Sequence, residues 1–189
     1  MRTCIICFNI IFLSVCLLFG CSRHSSNPLL HRADSLLEVD PDRVLELLDS
    51  LPVWEDFSEA DRAFYALLWA QALDKTEQSL LPCDSLLNFA LDYYDDEDSE
   101  KALALMYKGR LLAQMNDEKA AIELNLKALE VLKNYPEDTK YRSLIYSALG
   151  VWYVNSGLYD KALEVLNLFL SCSFNAKDTA IAYYNMSDV

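Results

Sequence analysis

The chain has 189 residues, 53% hydrophobic and 24% charged, with only four glycines and five prolines. This excludes a disordered or collagen-like chain and favours helices over a loop-rich fold. A formal net charge of −13 sets the chain against phosphate backbones and anionic head groups, so no nucleic-acid partner is expected and any hold on a membrane must be apolar.

The first element is a leader. Met1 and Arg2 supply one positive charge, and Thr3 to Gly20 are uncharged and rich in Ile, Leu, Phe and Cys. That order of charge and grease is that of a secretion signal. The run ends in Leu18, Phe19, Gly20 and Cys21, which resembles the lipobox of bacterial lipoproteins. The resemblance implies cleavage after Gly20, acylation of Cys21 and attachment to the membrane through that lipid. Phe19 is bulkier than the small residue usual at its place. The competing reading is an uncut transmembrane helix of about 20 residues, which the polar Asn9 and Ser14 weaken. Ser22 to Pro28 is polar and without apolar pattern, a short flexible tether. It lacks an acidic run behind Cys21, so the lipoprotein resemblance implies a cell-envelope protein of the outer membrane facing the periplasm.

Beyond the tether the apolar spacing predicts helices over 29–38, 41–50, 58–73, 83–94, 99–115, 118–133, 138–156, 159–171 and 177–189. Asp40 and Pro41 read as a cap followed by proline at the first helical position. Ser58 to Asp61 has capping-box spacing. Pro52, Pro82 and Pro136 fall between helices, where helices stop. The fold class expected is all-α, in antiparallel hairpins. Six cysteines do not make a disulfide framework: four lie in the leader or at its end, and Cys83 and Cys172 fall in different hairpins and read as core thiols.

The body repeats itself. Lys119, Ala120, Ala121, Ile122 and Glu123 match Asp160, Lys161, Ala162, Leu163 and Glu164, and Gly109 matches Gly150, both at a spacing of 41 positions. The second copy carries Tyr146, Leu149, Gly150, Tyr153, Gly157, Tyr159 and Ala162. The first carries Leu105, Gly109, Leu112, Ala121 and Ala128, with Lys108 where the pattern wants Leu. These residues resemble the tetratricopeptide family, whose motif is a helix–turn–helix of about 34 residues. The spacing here is longer by about two helical turns. The resemblance implies a right-handed superhelical solenoid. Small residues at 109, 121, 150 and 162 let paired helices approach, and the tyrosines fill the space between hairpins. The chain then divides into a signal segment (1–20), an acylated cysteine with its tether (21–28), degenerate hairpins forming a cap (29–98), two motifs (99–172) and the start of a further, incomplete motif (173–189).

Residues for chemistry are scarce. Only His24 and His31 are present, which leaves no body-wide nucleophile–base arrangement and no histidine metal site. No phosphate-cradling glycine loop occurs. Asp92, Asp95, Asp96, Glu97, Asp98 and Glu100 cluster without the glycine and terminal Glu of a calcium loop. They read as acids favoured at a helix start. Tyrosines and tryptophans at helical spacing read as core rather than as a sugar platform. No enzyme activity, cofactor or metal is expected. What the tetratricopeptide resemblance implies instead is a concave face holding a protein or peptide partner. Its lining would be Leu103, Met106, Arg110 and Ala113 in one motif and Leu144, Ser147, Val151, Val154 and Asn155 in the next. The expected function is a membrane-anchored interaction scaffold, the sensory or assembly front part of a longer protein. An outer-membrane assembly lipoprotein and a glycan-capture lipoprotein are the alternatives.

Overall fold

The computed structural model describes residues 25–51 and 56–172. The leader, Gly20, Cys21 and the helix expected over 177–189 lie outside the described residues. Within them the chain is all-helical, with α1 Pro28–Leu36, α2 Pro41–Asp49, α3 Glu59–Lys75, α4 Asp84–Tyr93, α5 Ser99–Gln114, α6 Glu118–Leu132, α7 Thr139–Asn155 and α8 Tyr159–Cys172. A 3-10 turn, Leu81–Cys83, leads into α4. Each matches an expected helix to within two residues at either end.

The starts follow from side chains that take up orphan backbone donors. Asn27 accepts from the Leu29 N–H at 2.9 Å and Asp40 from the Arg43 N–H at 3.1 Å, each just ahead of a proline at the first helical position. Asp117 accepts from the Ala120 N–H at 3.1 Å. At α3 the Ser58 hydroxyl accepts from the Asp61 N–H at 3.1 Å and donates to the Asp61 carboxylate at 2.7 Å.

The ends of α3, α5 and α7 are alike. Each passes through a left-handed residue, Glu77 (φ 56°), Asn116 (φ 63°) and Gly157 (φ 71°). The N–H of the next residue then returns to a carbonyl five residues back: Gln78 to Leu73 at 2.8 Å, Asp117 to Leu112 at 2.9 Å, Leu158 to Tyr153 at 2.8 Å. This is the Schellman closure of a helix end. Glycine adopts it freely and asparagine tolerates it, but Glu77 bears the Cβ clash. Glu77→Gly is therefore expected to raise stability by about 0.5–1 kcal/mol, read as a higher urea midpoint at unchanged slope; an unchanged or lower midpoint would show that Glu77 is not strained.

The junctions repeat as well. Lys101 Nζ donates to the Leu91 and Tyr94 carbonyls at 2.5 and 3.0 Å, ten and seven residues back. Arg142 Nη2 donates to Leu132 and, at 2.8 Å, to Tyr135, at the same separations of ten and seven. Its Nη1 reaches Pro136 at 2.8 Å. Each cation thus collars the carbonyl end of the preceding helix, where the helix dipole is negative. The 41-residue spacing therefore reaches back into α4, beyond the motif read from the sequence.

Neighbouring helices pack most closely as α5 on α6 and α7 on α8. Both contacts depend on a glycine. A Cβ on Gly109 would press into the Asn125 amide and stand 3.1 Å from the Ala121 carbonyl. One on Gly150 would stand 2.5 and 2.8 Å from Leu166 Cδ2 and Cγ. Ala121, Ala128, Leu149 and Ala162 are fully buried and Leu105 and Tyr153 nearly so, while Leu112 and Tyr146 are partly covered. Tyr159 differs from expectation: it opens α8 directly after the exposed turn at Gly157 and is itself 50% exposed. Cys83 is buried, whereas Cys172, in the last turn of α8, is only partly covered and is not the core thiol expected. A second core joins the first hairpin to α3 through Leu30, Ala33, Val44 and Leu48 against Leu68 and Ala72.

Candidate partner-binding face

The helices that would line a concave face are α5 and α7. Arg110 and Ala113 from α5 meet Ser147 and Val151 from α7 around a shallow hollow of about 390 Å³, which also takes in Asp74, Gln114, Ala148 and Trp152. Four of the nine residues expected to line the groove are thus brought together. The other five are placed differently. Leu103 and Met106 are buried in the main core together with Ala63, Leu67 and Ala70. The cause is packing: α5 has α3 on one side and α7 on the other, so this flank is covered. Leu144 and Val154 are half-buried against the same core. Asn155 is exposed and its amide donates to Glu118 at 3.0 Å, which ties α7 to the start of α6.

The polar wall of the hollow is an ion pair between Arg110 and Asp74, both side chains about three-quarters covered. Burial raises the Asp74 carboxyl above its ordinary value, and the nearby Arg110 and Lys75 only partly offset this. Gln114 is held by the loop before α4, accepting from the Leu80 N–H at 2.9 Å and from the Ser79 hydroxyl at 3.3 Å. The floor is Ala113, Ala148 and Trp152, and Val151 stands 41% exposed at the rim. Such a surface offers one apolar knob, small side chains around it and a charged pair at one edge. That suits a side chain from an extended or helical peptide. Of the residues that sequence reasoning missed, Asp74 and Gln114 had no signal, because each acts across hairpins.

A second ion cluster lies elsewhere. Glu38, just past α1, pairs with Lys75 at 2.8 Å and with Lys140 of α7. The hydrogen bonds from Lys140 and Lys75 hold its carboxyl below the ordinary Glu range. With the folded value depressed, the contribution is present above the ordinary value and lost as pH falls through the lowered one. Solvent keeps it small, since Glu38 and Lys140 are more than half exposed.

The acidic cluster before α5 organises its own loop. The Asp98 carboxylate accepts from the Asp95 N–H at 2.8 Å. Asp92 and Asp96 look onto a hollow of about 690 Å³ floored by Leu91, Leu105 and Val131, with Lys127 across from them. The aromatic residues are largely core: Tyr94, Tyr107, Trp152 and Tyr153 are buried, and the Trp69 ring lies tilted against Tyr65 with centroids 5.6 Å apart. Burial pushes the Cys83 thiol up to about 12, which removes it as a nucleophile. No protein-family model, no curated protein and no solved structure matches the chain.

Proposed function

We propose that the chain is a tetratricopeptide-type helical solenoid, anchored through lipid on Cys21 after cleavage behind Gly20, that holds a protein or peptide partner at the bacterial cell envelope. The outer membrane, facing the periplasm, is the site proposed. The observation that carries the reading is the repeat at 41 residues in contact as well as in sequence. Gly109 faces Asn125 and Gly150 faces Leu166, each sixteen residues on, and Lys101 and Arg142 collar their preceding helices at equal separations. A stack of such hairpins exposes one continuous face on its first helices, which is where Arg110, Ala113, Ser147 and Val151 gather.

Two variants test the two halves of the proposal. Cys21→Ser should move the protein from the membrane to the soluble fraction; retention in the membrane would reject the lipid anchor. Val151→Asp places a charge at an exposed position of the hollow and leaves the core untouched. It should weaken capture of partners from detergent-solubilised membranes by about tenfold or more. Equal recovery of the same partners by both proteins would remove the hollow from the binding surface.

A further inference from the structure

The polar stretch before α1 is not free up to Pro28. Ser25 Oγ donates to Asp61 Oδ1 at 2.6 Å, and the Ser26 N–H donates to the same oxygen at 3.2 Å. The other carboxylate oxygen accepts from Ser58 at 2.7 Å. The Asn27 N–H donates to Ser25 Oγ at 3.2 Å, and His31 Nε2 lies 2.9 Å from the Ser25 carbonyl oxygen. Asp61 is buried. Burial works against its charge, but the hydroxyls of Ser25 and Ser58 and the backbone of Asn27 and Ser26 outweigh that and hold its carboxyl below the ordinary Asp range. The segment is therefore fastened to the first turn of α3, 36 residues away.

We propose that this latch turns the α1–α3 end of the body toward the bilayer and holds it there at short range. The inference rests on the lipid anchor at Cys21. From Cys21 to Ser25 the chain spans four residues, at most about 14 Å when fully extended. A tether free through Pro28 would reach about 25 Å. The latch thus removes close to half of the leash and gives the remainder a fixed point of departure. Attraction by lipid charge is not the cause. The side chains around the latch include Asp34, Glu59, Glu100 and Asp61 itself, and a surface of that sign is repelled by anionic head groups. The orientation should accordingly hold in neutral vesicles and at high salt, and weaken rather than strengthen in anionic vesicles at low salt.

The test uses the full chain, acylated, in phosphatidylcholine vesicles containing a lipid with a quencher on its head group. Fluorophores are placed singly, in a Cys172→Ser background, at Leu29→Cys beside the latch and at Asp160→Cys beyond the far end of α7. The first label should be quenched and the second should not. Ser25→Ala removes the hydroxyl and leaves the Ser58 cap in place, so the fold is retained. It should raise the undocked population roughly tenfold, seen as weaker quenching at Leu29→Cys and faster exchange of the Ser26 amide. Asp61→Ala should do the same where circular dichroism shows it folded. Equal quenching of the two labels on an acylated protein, or no effect of Ser25→Ala on either readout, would overturn the latch alone. An N-terminal peptide whose Cys21 carries no acyl chain would overturn the anchor and, with it, the orientation.

Discussion

Gly150→Ala is expected to destabilise the fold by about 1–3 kcal/mol, although alanine in place of glycine ordinarily improves a helix interior by about 0.5–1 kcal/mol. The reversal comes from the notch between α7 and α8. The new methyl would lie 2.5 and 2.8 Å from Leu166 Cδ2 and Cγ. Cγ can move aside only by a change of χ1, and Leu166 is fully buried with no room for another rotamer, so the two helices must part. Leu166→Ala alone should cost about 2–5 kcal/mol by leaving a cavity. In the double variant the methyl at 150 has room, and part of that cavity is filled. Urea denaturation of the four proteins should then give a favourable coupling of about 0.5–3 kcal/mol. Additive losses would mean that the glycine is not there for the leucine.

At the equivalent notch one repeat earlier, Asn125 takes the place of Leu166, and Asn125→Asp should cost about 3–5 kcal/mol at neutral pH. Asn125 is fully buried, its Nδ2 donates to the Ala121 carbonyl at 3.0 Å, and its Oδ1 has no partner. The amide cannot be reversed without setting oxygen against oxygen. An aspartate there would face the same carbonyl as an uncompensated charge, so its folded pKa would be raised. A raised value means that the penalty is absent below the unfolded Asp pKa of about 3.9, grows as pH rises from there to the folded one, and is constant above it. The variant should therefore approach the parent in stability near the acid end and diverge from it toward neutrality. Asn125→Leu, which copies the later repeat, should gain about 1–2 kcal/mol by removing the orphan oxygen. A well-tolerated aspartate at pH 7 would reveal a donor to Oδ1.

Local signals in the sequence were enough for the helices and not for the face. Asp40 with Pro41, and Ser58, act within a few residues, so those helix starts could be read directly; Asn27 with Pro28, and Asp117, cap in the same local way, but 27 and 28 read as tether and Asp117 was not singled out. The glycines at 109 and 150 were legible as close approaches because both recur at the repeat spacing, but their chief neighbours, Asn125 and Leu166, were not. The left-handed turn at Glu77 was not, since glutamate gives no hint of positive φ. Burial of Leu103 and Met106 was also hidden. Periodicity tells which side of its own helix a residue occupies, but the angle between successive hairpins decides whether that side meets solvent or α3. Asp74 with Arg110 depends on that angle too, across 36 residues.

The bridge from Glu38 to Lys140 spans 102 residues, while the principal packing partners of every helix are one or two helices away in the chain. Assemblies held by such short-range contacts lose structure progressively from a terminus, each unit leaving without consulting distant ones. Here the first hairpin cannot loosen without withdrawing a counter-charge from the head of α7. Ionic strength, which weakens exposed pairs and spares buried apolar contacts, should thereby shift by a small amount how far the two ends of the body act together.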